Sequence, residues 1–411
     1  MCFQEFCYDI MDIFSFSMIS IVFLKRKSHV YKIHKDYLLK RNIYFQSELL
    51  KLGIKPSGFL IESNLGFQYT DNTVLPKDTP ITLITDSTLS ISELENIKSF
   101  LNSSKIEVLS CVISENQIGN KTILHPCLDN LENIPNWYKN CKINFKKYTI
   151  PGYSCFTLDS ITTSFRRLKK QYPNETFRLK YGNGTSGVDH HRLRDECDLA
   201  NVLVKINQFQ ELCNVGASIE IDLENTKTYG ITKIKILNKE ITTIGKQSFK
   251  NNVYIGSEIV TERREEEKAL LKIHEGLFKL ILPFSEQLNR FNIDVVIGQL
   301  TDGSIIKGVT DLSLKPGAAT VLELKKLITG LDTGVYQIYS TKPIKIENQE
   351  LLTSFLKNNE MELSVLSKYI ITINYPLSKK HLLLSPKFKN LEAEIKKIDY
   401  SKNKLFSPEK I

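Results

Sequence analysis

Phe177-Arg-Leu-Lys-Tyr-Gly-Asn-Gly-Thr-Ser-Gly187 decides the fold of this 411-residue chain. A β-prone run, Thr176–Lys180, leads straight into glycines at 182, 184 and 187. A lysine at the end of a strand sets a cation over the loop that follows. Glycines there let backbone N–H groups approach an anion that side chains would otherwise keep away. The arrangement is suited to cradling a phosphate. It is not a P-loop, because the lysine precedes the glycines and no Gly-Lys-Ser/Thr follows. Read alone, the same letters also fit a glycine-rich surface hairpin.

Upstream, residues 28–112 alternate short strands with helices. Phe59–Ile61, Ile81–Ile84 and Ile106–Leu109 are β-prone, and Ser90–Leu101 reads as a helix with Ser90 and Glu93 as a capping box. This βαβ rhythm predicts a small lobe with a parallel sheet. Pro126–Pro151, with the only Trp at 137, reads as a connection. A helix capped by Thr157 or Asp159 follows, with Ile161, Phe165 and Leu168 on one face, and Pro173-Asn174 ends it.

Downstream, strands dominate from 218. Asn238-Lys239 and Asp302-Gly303 mark hairpins. A helix from about Glu262 buries Leu270, Ile273, Leu277 and Leu280 and stops at Pro283. The second hairpin carries chemistry. Asp294 starts one strand and Asp311 ends the next, so both carboxylates reach one end of the sheet. Ser313 and Lys315 follow at alternate positions and share a face with Asp311. Two carboxylates and a hydroxyl suit Mg²⁺, a hard cation that partners phosphates. A charged surface hairpin is the plainer alternative.

Composition sets bounds. Hydrophobic residues make up 41% and charged residues 25%, enough for a full core, which excludes a disordered or collagen-like chain. The net charge of +9 is spread over the whole length; it fits an anionic small partner and is too diffuse to indicate nucleic acid. The eight Cys form no CxxC and cease after Cys213, which favours a reducing cytoplasm over a disulfide scaffold. Residues 10–24 are mostly apolar but short for a span of about 20 residues. Their positive charges follow the run instead of preceding it, unlike a signal peptide. A tail or a segment packed on the body is preferred to a membrane anchor. His190-His191 reads as solvent-exposed, not as a metal pair.

Taken in order, Lys180 with its glycine loop, Glu220-Ile-Asp-Leu223, Asp294 and Asp311-Leu-Ser-Leu-Lys315 resemble the ATP-grasp superfamily. Lys121-Thr-Ile-Leu-His-Pro126, Ile150–Phe156, Arg178–Lys180, Asp294–Gly298 and Lys315–Thr320 are similar to the landmarks of an uncharacterised bacterial ATP-grasp-like family. The likeness covers roughly residues 28–375.

The resemblance implies an α/β and α+β chain with an ATP-grasp fold. Its parts would be an apolar tail (1–27), an N-terminal α/β lobe (28–125), a small lobe with the glycine loop (126–218), a C-terminal lobe with the metal and substrate end (219–375) and a Lys-rich extension (376–411). It further implies that Lys121, Lys180, Gly182, Gly184, Ser186 and Gly187 contact the ATP phosphates. Glu220 and Leu223 would meet adenine, and Asp294, Asp311 and Ser313 would hold Mg²⁺. Arg290 or Lys315 would stabilise the transferring phosphoryl group. Asp311, Ser313 and Lys315 depart from the superfamily's Glu, Asn and Arg. The implied activity is a cytoplasmic carboxylate-amine ligase acting on small molecules through an acylphosphate. A phosphotransferase on the same scaffold and a non-catalytic ATP-binding module are the alternatives.

Overall fold

The computed structural model describes the strands at 20–25, 56–63 and 66–69. It also describes residues 80–376, apart from short stretches of which 183–189 and 340–353 are the longest. The first sheet has the order β3-β2-β1-β4-β6, built from β1 (Ser20–Lys25), β2 (Pro56–Ser63), β3 (Gly66–Tyr69), β4 (Ile81–Thr85) and β6 (Ile106–Leu109). All pairs are parallel except β2 with β3. Helix α1 (Ile91–Leu101) carries the expected capping box. The Glu93 amide donates to Ser90 Oγ at 3.2 Å, and the Ser90 amide donates to Glu93 Oε2 at 2.6 Å.

The segment expected to lie in an apolar tail supplies the middle strand of this sheet. Ser-Ile-Val-Phe-Leu-Lys has apolar side chains at both parities, the composition of a parallel strand covered on both faces. Periodicity alone does not separate such a run from other buried segments. Residues 1–19 lie outside the described residues. Among the described residues, no helix is long and apolar enough to cross a membrane.

The stretch expected as a connection is packed core. Helix α2 (Asn136–Cys141) buries Trp137 beside Phe156 and Tyr138, and Trp137 Nε1 donates to the Asn214 carbonyl at 2.9 Å. Its proline and lysine content masked a short amphipathic turn. A small sheet of β5 (Leu89–Ser90), β7 (Cys111–Ile113) and β15 (Ser285–Leu288) ties the first lobe to the last.

The second lobe is a four-stranded sheet, β10-β9-β11-β8, of β8 (Gly152–Cys155), β9 (Phe177–Tyr181), β10 (His190–Leu193) and β11 (Ala217–Ile221). Thr157 caps α3 (Leu158–Gln171), whose Ile161, Phe165 and Leu168 pack with Phe177, Leu179 and Ile219. Helices α4 (Glu196–Ile206) and α5 (Leu212–Val215) complete that lobe.

The third lobe is an antiparallel sheet of eight strands in the order β17-β16-β12-β13-β14-β18-β20-β19. Its strands are β12 (Glu224–Ile236), β13 (Lys239–Lys250), β14 (Val253–Val260), β16 (Arg290–Gln299), β17 (Ile305–Ser313), β18 (Thr333–Tyr339), β19 (Glu362–Ser367) and β20 (Ile370–Pro376). Both expected hairpins are present: Ile236 opposes Lys239, and β16 pairs with β17. Helix α6 (Glu265–Ile281) packs Leu270, Leu277 and Ile281 on Phe291 and Ile293, and Pro283 follows its end. Helix α7 (Thr320–Thr329) follows β17. The Lys-rich stretch after Pro376 lies outside the described residues.

His274 of α6 is 2% exposed, between Phe278 and Phe291, with Nε2 3.3 Å from the Phe291 carbonyl. Burial lowers its pKa to about 4, against the opposing pull of that carbonyl. The unfolded chain, with an ordinary value of about 6.5, takes up the proton first as pH falls. Stability attached to His274 is therefore present above pH 6.5 and is lost between there and pH 4, up to about 3 kcal/mol. Urea midpoints measured from pH 7 to 4.5 should fall less in His274→Leu than in the unaltered protein; equal falls would reject this origin.

Candidate active site

The second and third lobes line one cleft of about 370 Å³. Lys180, next to the last residue of β9, lines it and is 2% exposed. Its ammonium lies 2.7 Å from Glu220 Oε1 and donates to the Thr310 carbonyl and, at 2.8 Å, to Thr310 Oγ1. Glu220 Oε2 lies 3.2 Å from His125 Nε2. Burial works against the charge on both partners. For Glu220, Lys180 and His125 outweigh that penalty and hold the carboxylate far below its usual range. Lys180 is left with a lowered pKa despite Glu220. Glu220 is held as a carboxylate by the Lys180 ammonium, the Thr310 hydroxyl and the neighbouring His125.

One step along the cleft lies the acidic hairpin. The register pairs Asp294 with Asp311 and Asn292 with Ser313, so the four side chains form two rows on one face. Lys121 Nζ sits 2.6 Å from Asp311 Oδ2. Burial opposes the Lys121 charge, yet Asp311, Asp294 and Glu220 together raise its pKa. Burial and the neighbouring Asp311 carboxylate push Asp294 up to about 6. Gln247 Nε2 donates to Asp294 Oδ1 at 2.8 Å, and Asn292 Nδ2 lies 3.3 Å from the same oxygen. Gln247 reaches across Gly230. A Cβ there would stand 2.8 Å from Gln247 Nε2 and 3.3 Å from Asp294 Oδ1. Asp311 Oδ1 is buried with no hydrogen-bond partner among the described residues.

Arg290 lines the cleft, but its guanidinium is engaged within the protein. It is 2% exposed and grips Glu323 through two bonds of 2.9 Å. Its remaining donor goes to the Ser313 and Lys315 carbonyls at 3.2 and 2.5 Å. The guanidinium is thus spent on Glu323 and the 313–315 turn, which it holds in position. Thr232 Oγ1 extends the network, 2.7 Å from Asn292 Oδ1 and 2.8 Å from Glu323 Oε1. Ser313 Oγ donates to the Lys315 carbonyl at 3.2 Å, and Lys315 lines the cleft.

Leu223 lies in the link between β11 and β12 and lines the cleft. Glu220 lines it too, but its carboxylate is engaged by Lys180, Thr310 and His125 and is not turned out to a ring edge. Gly182 is packed tightly: its N–H donates to the Gly216 carbonyl at 2.9 Å, and a Cβ would stand 2.5 Å from the Val215 carbonyl. Gly184, Ser186 and Gly187 lie outside the described residues. His190 and His191 point to opposite faces as a strand requires, yet neither is exposed. His190 lines the cleft, and His191 packs edge-on to Tyr181.

Sequence reading missed His125, Thr310, Gln247, Asn292 and Glu323. Asn292 left a signal, the Asn-x-Asp alternation opposite Asp-x-Ser. The others reach the site through tertiary packing that no local spacing records.

The family model described as "Protein of unknown function (DUF3182)" matches residues 61–275, just over half of the chain, and the chain belongs to that family. No curated protein matches it. Among solved structures it is similar to N5-carboxyaminoimidazole synthase from Aspergillus clavatus in complex with ADP and 5-aminoimidazole ribonucleotide. There the TM-score is 0.52 at 10% identity, over 91% of this chain and 98% of that one. It is also similar to N5-carboxyaminoimidazole synthetase from Staphylococcus aureus complexed with ADP, with a TM-score of 0.51 at 12% identity over 92% and 96% of the two chains. The fold is the ATP-grasp fold.

The buried Arg290–Glu323 pair yields a stability test. Glu323→Gln leaves an uncompensated guanidinium and should cost about 3–5 kcal/mol in urea unfolding. Replacing both, Arg290→Met with Glu323→Leu, should cost less than the single change. A double variant at least as unstable as Glu323→Gln would contradict the charge argument.

Proposed function

We propose that this DUF3182 member is an ATP-dependent ligase that joins a small-molecule carboxylate to an amine through an acylphosphate. The observation that carries the reading is the pair of cleft lysines, Lys180 and Lys121, each neutralised by a carboxylate of the protein where the two sheets meet. Each cation is already fixed in place by its own counter-ion, so little reorganisation is needed to present it to a phosphate oxygen.

Lys180 and Lys121 then bind the phosphate chain, together with the glycine stretch to which Gly182, Gly184, Ser186 and Gly187 belong. Glu220 fixes Lys180, and adenine recognition falls to the backbone around Leu223. Asp294, Asp311 and Ser313 offer hard oxygens, and Asp311 Oδ1 is an acceptor with no partner among the described residues. These residues fit Mg²⁺, which when bound offsets the negative charge of the triphosphate.

In the reaction, a substrate carboxylate oxygen attacks the γ-phosphorus and the bond to ADP breaks. The amine nitrogen next attacks the acyl carbon, phosphate leaves and the amine loses a proton. The two lysines stabilise charge on the phosphoryl oxygens, and Lys315 stands at the far wall for an anionic substrate group. Arg290 keeps the 313–315 turn in place.

The non-catalytic module remains the second reading. It is favoured by the Lys121 ammonium on Asp311 and by the Ser313 proton spent on the Lys315 carbonyl.

Lys180→Ala should weaken ATP binding by about 1.5–3 kcal/mol in calorimetry, the range for a charge-assisted contact. Unchanged affinity in a folded variant would remove the phosphate assignment. Asp311→Asn should abolish Mg²⁺-dependent ADP release, assayed against pooled carboxylates and amino acids, while ATP binding without metal stays within a few-fold. If the unaltered protein binds ATP but shows neither turnover nor Mg²⁺ dependence, the non-catalytic reading replaces the ligase.

A further inference from the structure

His190 begins β10 and is the register partner of Lys180 on β9, so the two side chains stand side by side on the cleft face. Both of its ring nitrogens are buried and, among the described residues, neither has a hydrogen-bond partner. A neutral imidazole always carries one N–H donor and one acceptor. Burying them unsatisfied is costly unless something outside the chain completes them.

The surroundings identify that partner. Lys180 of β9, Lys121 of the 121–124 turn and Arg178 of β9 all lie near enough to act on the ring, with Glu220 of β11 the opposing acid. Burial first, and then those three cations, hold its pKa down at about 2. The ring is therefore uncharged at any working pH, a neutral donor in a cationic corner. An anion with several acceptor oxygens satisfies the lysines and the imidazole together. Water satisfies the ring alone and leaves the lysines on their internal carboxylates.

We propose that His190 is a direct contact for a polyphosphate chain, donating its ring N–H to a phosphate oxygen beside Lys180. The inference deepens the ATP-dependent reading and rests on it for the identity of the anion. The uncharged donor adds directionality without adding charge, which a third lysine would not do.

The test is calorimetric, with ADP, adenosine and inorganic tripolyphosphate as probes of the full chain. His190→Leu should weaken ADP and tripolyphosphate by about 10-fold or more, the loss of a hydrogen bond to a charged group. Adenosine, which lacks phosphates, should bind as before. His190→Asn, which keeps an N–H donor, should recover part of the loss, a rescue that a purely packing role would not give. ADP affinity unchanged in folded His190→Leu overturns the proposal, as does an equal loss for adenosine. If the unaltered protein binds tripolyphosphate but neither ADP nor adenosine, the ATP reading fails while His190 stands as a polyphosphate contact. Binding of none of the three overturns both.

Discussion

An ammonium buried to 2% exposure is the constraint around which the cleft is organised. Lys180 is removed from water by three separate parts of the chain. β9 carries it, β11 supplies Glu220, and Thr310 of β17 offers its carbonyl and hydroxyl. His125, just after the 121–124 turn, braces the far carboxylate oxygen. Taking two charges out of water costs several kcal/mol per ion in real proteins, and mutual attraction offsets this only when the remaining donors and acceptors are satisfied. The requirement couples the lobes: shift β17 relative to β9, and Lys180 loses Thr310. A buried pair of this kind is a poor device for stability and a good one for fixing relative positions.

The acidic hairpin shows the same logic from the other sign. Two carboxylates as direct cross-strand neighbours repel, and burial compounds the cost, which is why Asp294 is pushed up to about 6. The fold tolerates it through Gln247 and Asn292 on one oxygen and Lys121 on the partner carboxylate. Gly230 is the backbone condition for that compensation, because any side chain there would block Gln247. Behind the hairpin, Arg290 ties Glu323 of α7 to the 313–315 carbonyls. The acids are held in an unfavourable arrangement by a stiff backing, as expected where strain serves a ligand.

Local chemistry explains what was legible in the sequence. The capping box at Ser90, a cap at Thr157 or Asp159 that the structure gives to Thr157, the stop at Pro283 and the Asp294–Asp311 pairing all rest on rules that act within a few residues or across one hairpin. The failures are tertiary. Ser20–Lys25 reads as tail because a short apolar run has no period that marks a central strand. Trp137 is buried by Phe156 and the Asn214 carbonyl, both distant in sequence. Arg290 looks like a free cation beside an acidic site until Glu323, 33 residues on, is brought against it. His190 reads as a surface residue because nothing local announces that its register partner is a buried lysine.

Charge balance joins the lysines and the acids into one argument. Lys180 matches Glu220 and Lys121 matches Asp311, so the ligand-free cleft is close to neutral once Asp294 is counted as partly protonated near pH 6. A triphosphate entering such a cleft brings several negative charges into a region where each is expensive. Two lysines already committed to acids do not cover that excess, and moving both onto phosphate leaves Glu220 and Asp311 exposed to each other's field. Of the other cations that line the cleft, Arg290 is spent on Glu323 and Arg178 on Asp222, and Lys315 is the one assigned to a substrate group. Neutral donors such as His190 shape the site without changing the sum. Under the proposed function, a polyphosphate is easier to accommodate in company with cations of its own. The two aspartates, one with a buried oxygen that has no partner among the described residues, are the oxygens that the proposed function assigns to such cations.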